Sequence, residues 1–185
     1  MGVLVSSKKN YLPRSEISEL LEVTAFTKRE IEDYYESFQL DYPEGYLTVE
    51  NFQMVYINMF PQGNTSVFAE NMFRVFDQNN DKRINFREFI IALSISTRGS
   101  LEDKARWMFQ LYDANNNGYI SKDEMLLIVT AIYQMKSMKN IDSVAEKRVE
   151  KIYEDMDTNK DGQLSFDEFL VLAKADPVVL DILSN

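Results

Sequence analysis

Residues 157–168 of this 185-residue chain read Asp157-Thr-Asn159-Lys-Asp161-Gly162-Gln163-Leu164-Ser165-Phe-Asp-Glu168. Ca²⁺ binds six to eight oxygen atoms, and a twelve-residue loop can supply them from its positions 1, 3, 5, 7, 9 and 12. The glycine at position 6 permits a sharp turn, because glycine readily adopts a positive φ. The six ligand positions all carry suitable oxygens, position 7 through its backbone carbonyl: Asp157, Asn159, Asp161, Gln163, Ser165 and Glu168. We call this predicted Ca²⁺ loop loop 4.

Two earlier stretches, loop 2 (residues 77–88) and loop 3 (residues 113–124), repeat the pattern, which is that of the EF-hand. In loop 2 the predicted ligands are Asp77, Asn79, Asp81, Arg83, Asn85 and Glu88. In loop 3 they are Asp113, Asn115, Asn117, Tyr119, Ser121 and Glu124. An acidic, turn-rich surface loop is the alternative for any single copy, but repeated matches in one short chain leave it little room. We predict three bound Ca²⁺ ions, with Mg²⁺ as a candidate occupant at rest because it also takes oxygen ligands.

Loops 2 and 3 each depart from the pattern of loop 4. Lys82 replaces glycine at position 6 of loop 2, and a left-handed backbone there costs a non-glycine residue about 1 kcal/mol. Three acidic ligands should outweigh this cost; the alternative is a loop that keeps its shape and binds poorly. Loop 3 has only two acidic ligands, so we expect a lower Ca²⁺ affinity than in loop 4.

A decayed fourth copy, loop 1, occupies residues 40–51. Gly45 keeps position 6, but Leu40, Tyr42 and Asn51 stand where ligands are required. We therefore predict a structural loop that binds no metal. Position 8 is apolar in all four copies, where paired loops form a two-stranded β-bridge: Leu47, Ile84, Ile120 and Leu164.

The predicted fold class is all-α, with four EF-hand helix-loop-helix motifs in two paired lobes and short β-bridges between paired loops. The expected divisions are an N-terminal lobe at 1–96, a hinge at 97–100, a C-terminal lobe at 101–175 and a tail helix at 176–185.

The composition narrows the classes of function. The chain has neither Cys nor His, which excludes disulfides, Cys nucleophiles, His-based triads and thiolate–imidazole zinc sites. A net charge of −10 argues against nucleic acid and favours cations or a basic partner. With its carboxylates assigned to metal loops, the chain offers no plausible catalytic constellation, so we predict that it is not an enzyme.

The N-terminal residues MGVLVS fit the motif for myristoylation of Gly2 after removal of the initiator Met. An ordinary frayed terminus is the alternative. One acyl chain binds bilayers only marginally, and a basic patch is the usual second signal. Lys8, Lys9 and Arg14 form a weak patch, so we expect reversible membrane contact. No apolar run is long enough to span a bilayer and no secretory signal is present, so we expect a cytoplasmic protein.

The chain resembles the neuronal calcium sensor family, and most closely its frequenin-like branch. The motifs that carry the resemblance span nearly the whole sequence: Met1-Gly2, Tyr42-Pro43-x-Gly45, Phe60-Pro61-x-Gly63, Ser94-Ile-Ser-Thr-Arg98-Gly99, Ala131-Ile132-Tyr133-Gln134-Met135 and Lys174-Ala-Asp176-Pro177. The resemblance implies a Ca²⁺ sensor, often N-myristoylated, that works at Golgi or plasma membranes. The implied partners are amphipathic helices of a phosphatidylinositol 4-kinase, a receptor, a receptor kinase or an exchange factor.

Partner helices in this family dock in a long apolar groove, for which a C-terminal tail can compete. Carried over to this chain, the groove residues are Tyr34, Phe38, Phe52, Val55, Tyr56, Met59, Phe68, Phe73, Ile91 and Trp107. Core packing is the alternative role for each of them. A Ca²⁺ buffer that barely opens is the alternative function, although a degenerate loop 1 and an acylation motif would not help a pure buffer.

Overall fold

A computed structural model describes residues 11–176, and Gly2, Lys8, Lys9 and the predicted tail helix beyond residue 176 lie outside them. The helices are α1 (Arg14–Val23), α2 (Lys28–Asp41), α3 (Val49–Met59), α4 (Ser66–Phe76), α5 (Phe86–Arg98), α6 (Leu101–Tyr112), α7 (Lys122–Met135), α8 (Ile141–Met156) and α9 (Phe166–Ala175). Four short strands lie between them: β1 (Tyr46–Leu47), β2 (Ile84–Asn85), β3 (Tyr119–Ser121) and β4 (Gln163–Ser165).

Most helices begin where a side chain can satisfy their first backbone N–H groups. Thr27, the N-cap of α2, accepts a hydrogen bond from the N–H of Glu30, whose carboxylate accepts one from the N–H of Thr27. The same capping box starts α3, α5, α6, α7 and α9. In α5, α7 and α9 the two residues of the box are positions 9 and 12 of the preceding loop. One glutamate therefore both starts the exiting helix and closes the loop.

The strands pair the loops two by two. β1 runs antiparallel to β2 with Leu47 opposite Ile84, and β3 runs antiparallel to β4 with Ile120 opposite Leu164. All four of these side chains are buried, so each bridge is also part of the hydrophobic core. The predicted pairing of loop 1 with loop 2 and of loop 3 with loop 4 is confirmed, and with it the predicted fold class.

Aromatic rings fill the core of each lobe. Phe38 packs edge-on against Phe86, with ring centroids 5.5 Å apart, in the N-terminal lobe. Phe109 packs in the same way against Phe169, at 5.6 Å, in the C-terminal lobe. Edge-on pairs of this kind stabilise a core beyond the area that they bury.

The turn between α1 and α2 is fastened to the last turn of α5. The backbone N–H of Ala25 donates to Ser94 Oγ at 2.8 Å, and the carbonyl oxygen of Ala25 accepts from Arg98 Nη1 at 2.9 Å. Arg98 also pairs with Glu30 and lies over the ring of Phe26, 4.5 Å from its centroid. The hydrogen bond from Arg98 is the main reason that the pKa of Glu30 falls to about 2.

These contacts explain the length of α5, which continues through Arg98. Only Gly99 and Ser100 of the predicted hinge at 97–100 therefore lie between helices. The link between α5 and α6 is two residues long, and the division of the chain at 97–100 stays a prediction.

The two lobes also meet at the connector between α3 and α4. The backbone N–H of Asn64 donates to the carbonyl oxygen of Gln134, in the last turn of α7, at 3.1 Å. A Cβ added to Gly63 would overlap the backbone carbonyl of Met135. Glycine is required here because two backbones approach closely, and not for its φ.

Substitution of Gly63 by alanine should separate these backbones. We expect G63A to lower the free energy of unfolding by about 1–3 kcal/mol, because an extra methyl group forced into a packed contact requires backbone movement. Denaturant unfolding in the presence of a chelator measures this change. The control is Q62A at the exposed neighbouring position, which leaves the contact intact. Equal midpoints for the two variants would show that the close approach does not exist in solution.

Candidate metal centres

The aspartate at position 1 is held in the same way in all three complete loops. In loop 4, Asp157 Oδ1 accepts from the N–H of Asp161 at 3.2 Å, and Oδ2 accepts from the N–H of Gly162 at 2.9 Å. The equivalent distances are 3.1 and 2.9 Å in loop 2, and 3.0 and 2.9 Å in loop 3. Each loop therefore curls its own backbone around its first carboxylate.

The side chains at positions 3 and 5 bond to the backbone two residues further on. In loop 3, Asn115 Oδ1 accepts from the N–H of Asn117 at 3.0 Å, and Asn117 Oδ1 accepts from the N–H of Tyr119 at 2.9 Å. Loops 2 and 4 repeat both bonds at 2.8 to 3.1 Å. These Asx turns fix the orientation of the oxygens that the sequence predicts as ligands.

The glutamate at position 12 joins the two ends of each loop. In loop 4, Glu168 Oε1 accepts from the N–H of Thr158 and Oε2 accepts from the N–H of Ser165, both at 3.0 Å. Glu88 makes the equivalent bonds at 3.1 and 3.0 Å, and Glu124 makes them at 3.1 and 2.9 Å. In loop 4 each oxygen of this carboxylate also accepts from a hydroxyl group, that of Thr158 or of Ser165, so a cation bound there would replace some of these hydrogen bonds.

The electrostatic environment of this glutamate differs between the loops. In loop 4, hydrogen bonds, led by that from the backbone of Ser165, lower the pKa of Glu168 to about 2. In loop 3, burial raises the pKa of Glu124, but hydrogen bonds led by that from the Ser121 hydroxyl outweigh it, and the net pKa is lowered.

Loop 2 is the exception, because the pKa of Glu88 is raised. Burial is the main cause, and the negative charges of Asp77 and Asp81 add to it. Both Asp77 and Glu88 are buried, at 6% and 8% exposure. Buried like charges of this kind are stabilised when a divalent cation neutralises them.

The donors of each loop suit a hard cation, because they are carboxylate, amide and backbone carbonyl oxygens. No group of three or more acidic side chains within residues 11–176 is arranged closely enough to hold a metal without other donors. The amides at position 3 and the backbone carbonyls at position 7 are the further donors that the sequence predicts. The ligand sets named from the sequence remain predictions.

Position 6 has a left-handed backbone in all three complete loops. The value of φ is +85° at Gly118, +79° at Gly162 and +64° at Lys82. The N–H of Lys82 still donates to Asp77 Oδ2 at 2.9 Å. The lysine therefore adds backbone strain to loop 2 without changing its hydrogen-bond pattern.

Loop 1 is closed by contacts that need no metal. Gly45 has a φ of +84°, and Thr48 and Asn51, at positions 9 and 12, form a capping box. The guanidinium of Arg83 in loop 2 lies over the ring of Tyr46 in loop 1, 4.2 Å from its centroid. Asn51 therefore caps α3 as the glutamates at position 12 cap their helices, but it brings no negative charge to the loop.

The residues assigned to the groove fall into three groups. Five are buried in the core: Phe38, Phe52, Phe68, Phe73 and Trp107. Three are partly buried against it: Tyr34, Tyr56 and Ile91. Two are exposed, Val55 at 38% and Met59 at 50%. In this conformation, half of the assigned residues pack as core.

A cavity of 480 Å³ lies beside loop 2 and brings two predicted sites together. Its apolar wall includes Ile91 and Trp107 from the groove set, together with Phe76. Its polar wall includes Glu88 and Asn85 of loop 2. A movement of the predicted ligands Glu88 or Asn85 would therefore change the shape of a cavity that residues of the groove set also line.

Two contacts near the loops do not follow from the sequence pattern. The Tyr153 hydroxyl donates to the carbonyl oxygen of Ile120, at position 8 of loop 3, at 2.6 Å. The Thr158 hydroxyl donates to Glu168 Oε1 at 2.8 Å. The only signal in the sequence is a hydroxyl at each position, and periodicity does not identify its acceptor.

Comparison with known proteins gives a consistent result over both lobes. A family profile described as an EF-hand domain pair matches residues 102–174, and another with the same description matches residues 43–96. Neuronal calcium sensor 1 of Lymnaea stagnalis is 43% identical over 184 residues, covering 97% of this chain and 96% of that protein. Neuronal calcium sensor 1 of Aplysia californica is 42% identical over 184 residues with the same coverage.

The strain at Lys82 can be measured with two substitutions. We expect K82G to be more stable than K82A by about 1 kcal/mol in the absence of Ca²⁺, because only glycine removes the strained Cβ. Both variants lose the lysine charge, so their difference isolates the backbone effect. Denaturant unfolding of the Ca²⁺-free proteins provides the measurement. Equal stabilities would mean that position 6 of loop 2 is not left-handed in solution.

Proposed function

This chain belongs to the neuronal calcium sensor family of EF-hand proteins, and from that premise we propose how it senses Ca²⁺. Loops 2, 3 and 4 bind one Ca²⁺ ion each, and binding opens an apolar groove. An amphipathic helix of a protein target then docks in this groove. The target is a membrane-associated enzyme or receptor that the docked protein regulates.

The observation that carries this proposal is an apolar strip on α3. Met54, Val55, Ile57 and Met59 are 53%, 38%, 45% and 50% exposed on one short helix. Contiguous exposed apolar side chains are typical of interaction surfaces. Methionine suits such a surface because its flexible thioether adapts to different partners.

The cavity beside loop 2 supports a link between cation binding and the groove. Glu88 and Ile91 lie on the same helix, α5, less than one turn apart, and both line this cavity. Glu88 already accepts hydrogen bonds from the N–H groups of Gln78 and Asn79, and a cation that replaced these bonds would shift the start of α5. Ile91 moves with it, so ion binding and target binding act on the same helix.

The loop residues divide the work of holding the ion. The aspartates at position 1 and the glutamates at position 12 supply charge, and the amide and carbonyl oxygens between them complete the coordination. A bound Ca²⁺ would neutralise these carboxylates, and through the glutamate at position 12 it would act on the start of the exiting helix. The same oxygens would also suit Mg²⁺ at rest, since Mg²⁺ takes oxygen ligands as well.

A buffer is the second candidate, since buffer EF-hands bind Ca²⁺ and barely open. The α3 strip argues against it, because an exposed apolar helix has no use in a protein that only stores ions. The metal-free closure of loop 1 argues the same way. An enzymatic role has no support, since the carboxylates of the loops are committed to the ion.

Reversible membrane contact completes the proposal. Among the helices of residues 11–176, none is long and apolar enough to cross a bilayer. Gly2 is the proposed myristoylation site, and Lys8, Lys9 and Arg14 are the proposed electrostatic support. Phosphatidylinositol 4-kinase, receptor kinases and exchange factors are the target classes that the family suggests, at Golgi or plasma membranes.

Exposure of apolar surface on Ca²⁺ addition is the main test. In excess Mg²⁺, the fluorescence of the apolar-surface dye ANS should rise severalfold as Ca²⁺ is added, because the opened groove binds the dye. Isothermal titration should show three Ca²⁺ ions per chain and two in each of E88Q, E124Q and E168Q. The three variants together should abolish the rise in dye fluorescence. Ca²⁺ binding without any rise would favour the buffer.

Myristoylation is tested by co-expression with an N-myristoyltransferase. The wild-type protein should gain the mass of one myristoyl group, and G2A should not, because the acylated amine is lost. The modified protein should sediment with vesicles that contain anionic lipid, and less so at high salt as the basic patch is screened. Equal sedimentation of G2A would exclude the acyl chain as the membrane anchor.

A further inference from the structure

Arg74 makes a contact between the lobes that the metal loops do not require. It lies on α4, three residues before the first residue of loop 2, and its guanidinium crosses to the end of α6. Nη2 donates to the carbonyl oxygens of Gln110 and Leu111 at 2.9 and 3.1 Å, and Nη1 donates to that of Asp113 at 3.4 Å.

The acceptors are groups for which a cation is well suited. The last carbonyls of a helix have no partners within it and carry the negative end of the helix dipole. Asp113 is both the C-cap of α6 and position 1 of loop 3. The guanidinium of Arg74 therefore holds the exact point at which α6 becomes loop 3.

On the α4 side, the contact also lies next to the start of a predicted metal loop. α4 ends at Phe76, and its C-cap is Asp77, position 1 of loop 2. The ring of Phe76 packs edge-on against that of Trp107 on α6, with centroids 5.3 Å apart. The loop end of α4 thus contacts α6 twice, through the bonds of Arg74 at the end of α6 and through Trp107 at its middle.

The burial of Arg74 at this contact is unfavourable for stability. Burial lowers the pKa of Arg74, while the charges of Asp113 and Glu124 oppose that shift. Within the described part of the chain, Arg74 Nε is buried without a hydrogen-bond partner, and a buried donor without a partner lowers the stability of the fold. An apolar side chain would cover this face of α4 without that cost, so packing alone does not account for an arginine here.

We propose that Arg74 is a positioning residue that couples Ca²⁺ binding in loop 2 to Ca²⁺ binding in loop 3. The inference rests on the proposed function, since it requires that both loops bind Ca²⁺. Ion binding in loop 2 reorients α4, and Arg74 moves with α4. Its three bonds to α6 exist in a conformation in which both loops have the same ordered hydrogen-bond pattern. Order in either loop therefore favours order in the other, and the coupling is positive.

The test is a double-mutant cycle read at a single site. The N–H of Gly118 donates to Asp113 Oδ2 at 2.9 Å, so its amide signal in a ¹H–¹⁵N correlation spectrum reports the occupancy of loop 3. Ca²⁺ titrations of the full chain compare wild type, E88Q, R74M and the double variant. E88Q should weaken binding in loop 3 about fivefold with Arg74 present, a typical coupling. In the R74M background the same change should have less than about a twofold effect.

Two further variants distinguish the effect of the three hydrogen bonds of Arg74 from the effect of its positive charge. R29M removes an exposed arginine of α2 whose side chain is 91% exposed and pairs only loosely, at 3.8 Å, with Asp33, and it should leave the coupling intact. R74K retains the charge and the stem, but a single ammonium cannot reach three carbonyls as a guanidinium does. R74K should lose most of the coupling, and it replaces R74M in the double-mutant cycle if R74M does not fold.

The outcomes are distinct. An equal effect of E88Q with and without Arg74 overturns the inference and leaves the sensor function standing. Full coupling in R74K also overturns it, because charge alone would then suffice. A Gly118 signal that does not respond to Ca²⁺ in the wild-type protein overturns the inference and the proposed function together.

Discussion

The carboxylate at position 12 is the constraint on which each complete hand depends. In loop 4, Glu168 accepts hydrogen bonds from the second residue of the loop and from the ninth, so it ties the entering backbone to the first turn of α9. The N–H of Glu168 in turn donates to the side chain of Ser165, the N-cap of α9, which completes the capping box. The loop cannot relax without loosening the helix start. An ion at this carboxylate therefore acts on a helix and not only on a loop.

The packing between the EF-hands determines which other parts of the protein move when one of these helices moves. The β-bridges join loops within a lobe through buried residues such as Ile120 and Leu164. Between the lobes, Gly99 and Ser100 leave little free chain, and the connector at Gly63 lies directly on the end of α7. The Ser137 hydroxyl reinforces this contact by donating to the carbonyl oxygen of Gln62 at 2.6 Å. A movement of one lobe therefore acts on the other lobe at these contacts.

Local features were predictable from the sequence, and contacts between distant segments were not. The cap at Thr27 and the loop boundaries follow from patterns within a few residues, and the bridge partners of Leu47 and Ile120 follow from the repeat of the whole loop along the chain. The extension of α5 to Arg98 depends on bonds to Ala25 and Glu30, about seventy residues earlier in the chain. The role of Arg74 depends on carbonyls of another helix. Apolar periodicity cannot reveal such polar contacts, nor can it tell a buried Phe68 from an exposed Met59 when both are apolar.

Loop 1 gives the N-terminal lobe an asymmetry. Its cap at Thr48 and the stacking of Tyr46 with Arg83 are contacts that involve none of the carboxylates predicted as ligands. If loop 2 is the only metal-binding loop of this lobe, as we propose, the lobe has no second site with which loop 2 could bind ions cooperatively. Any steepness in the response of the whole protein must then arise in the paired loops of the other lobe or across the boundary between the lobes.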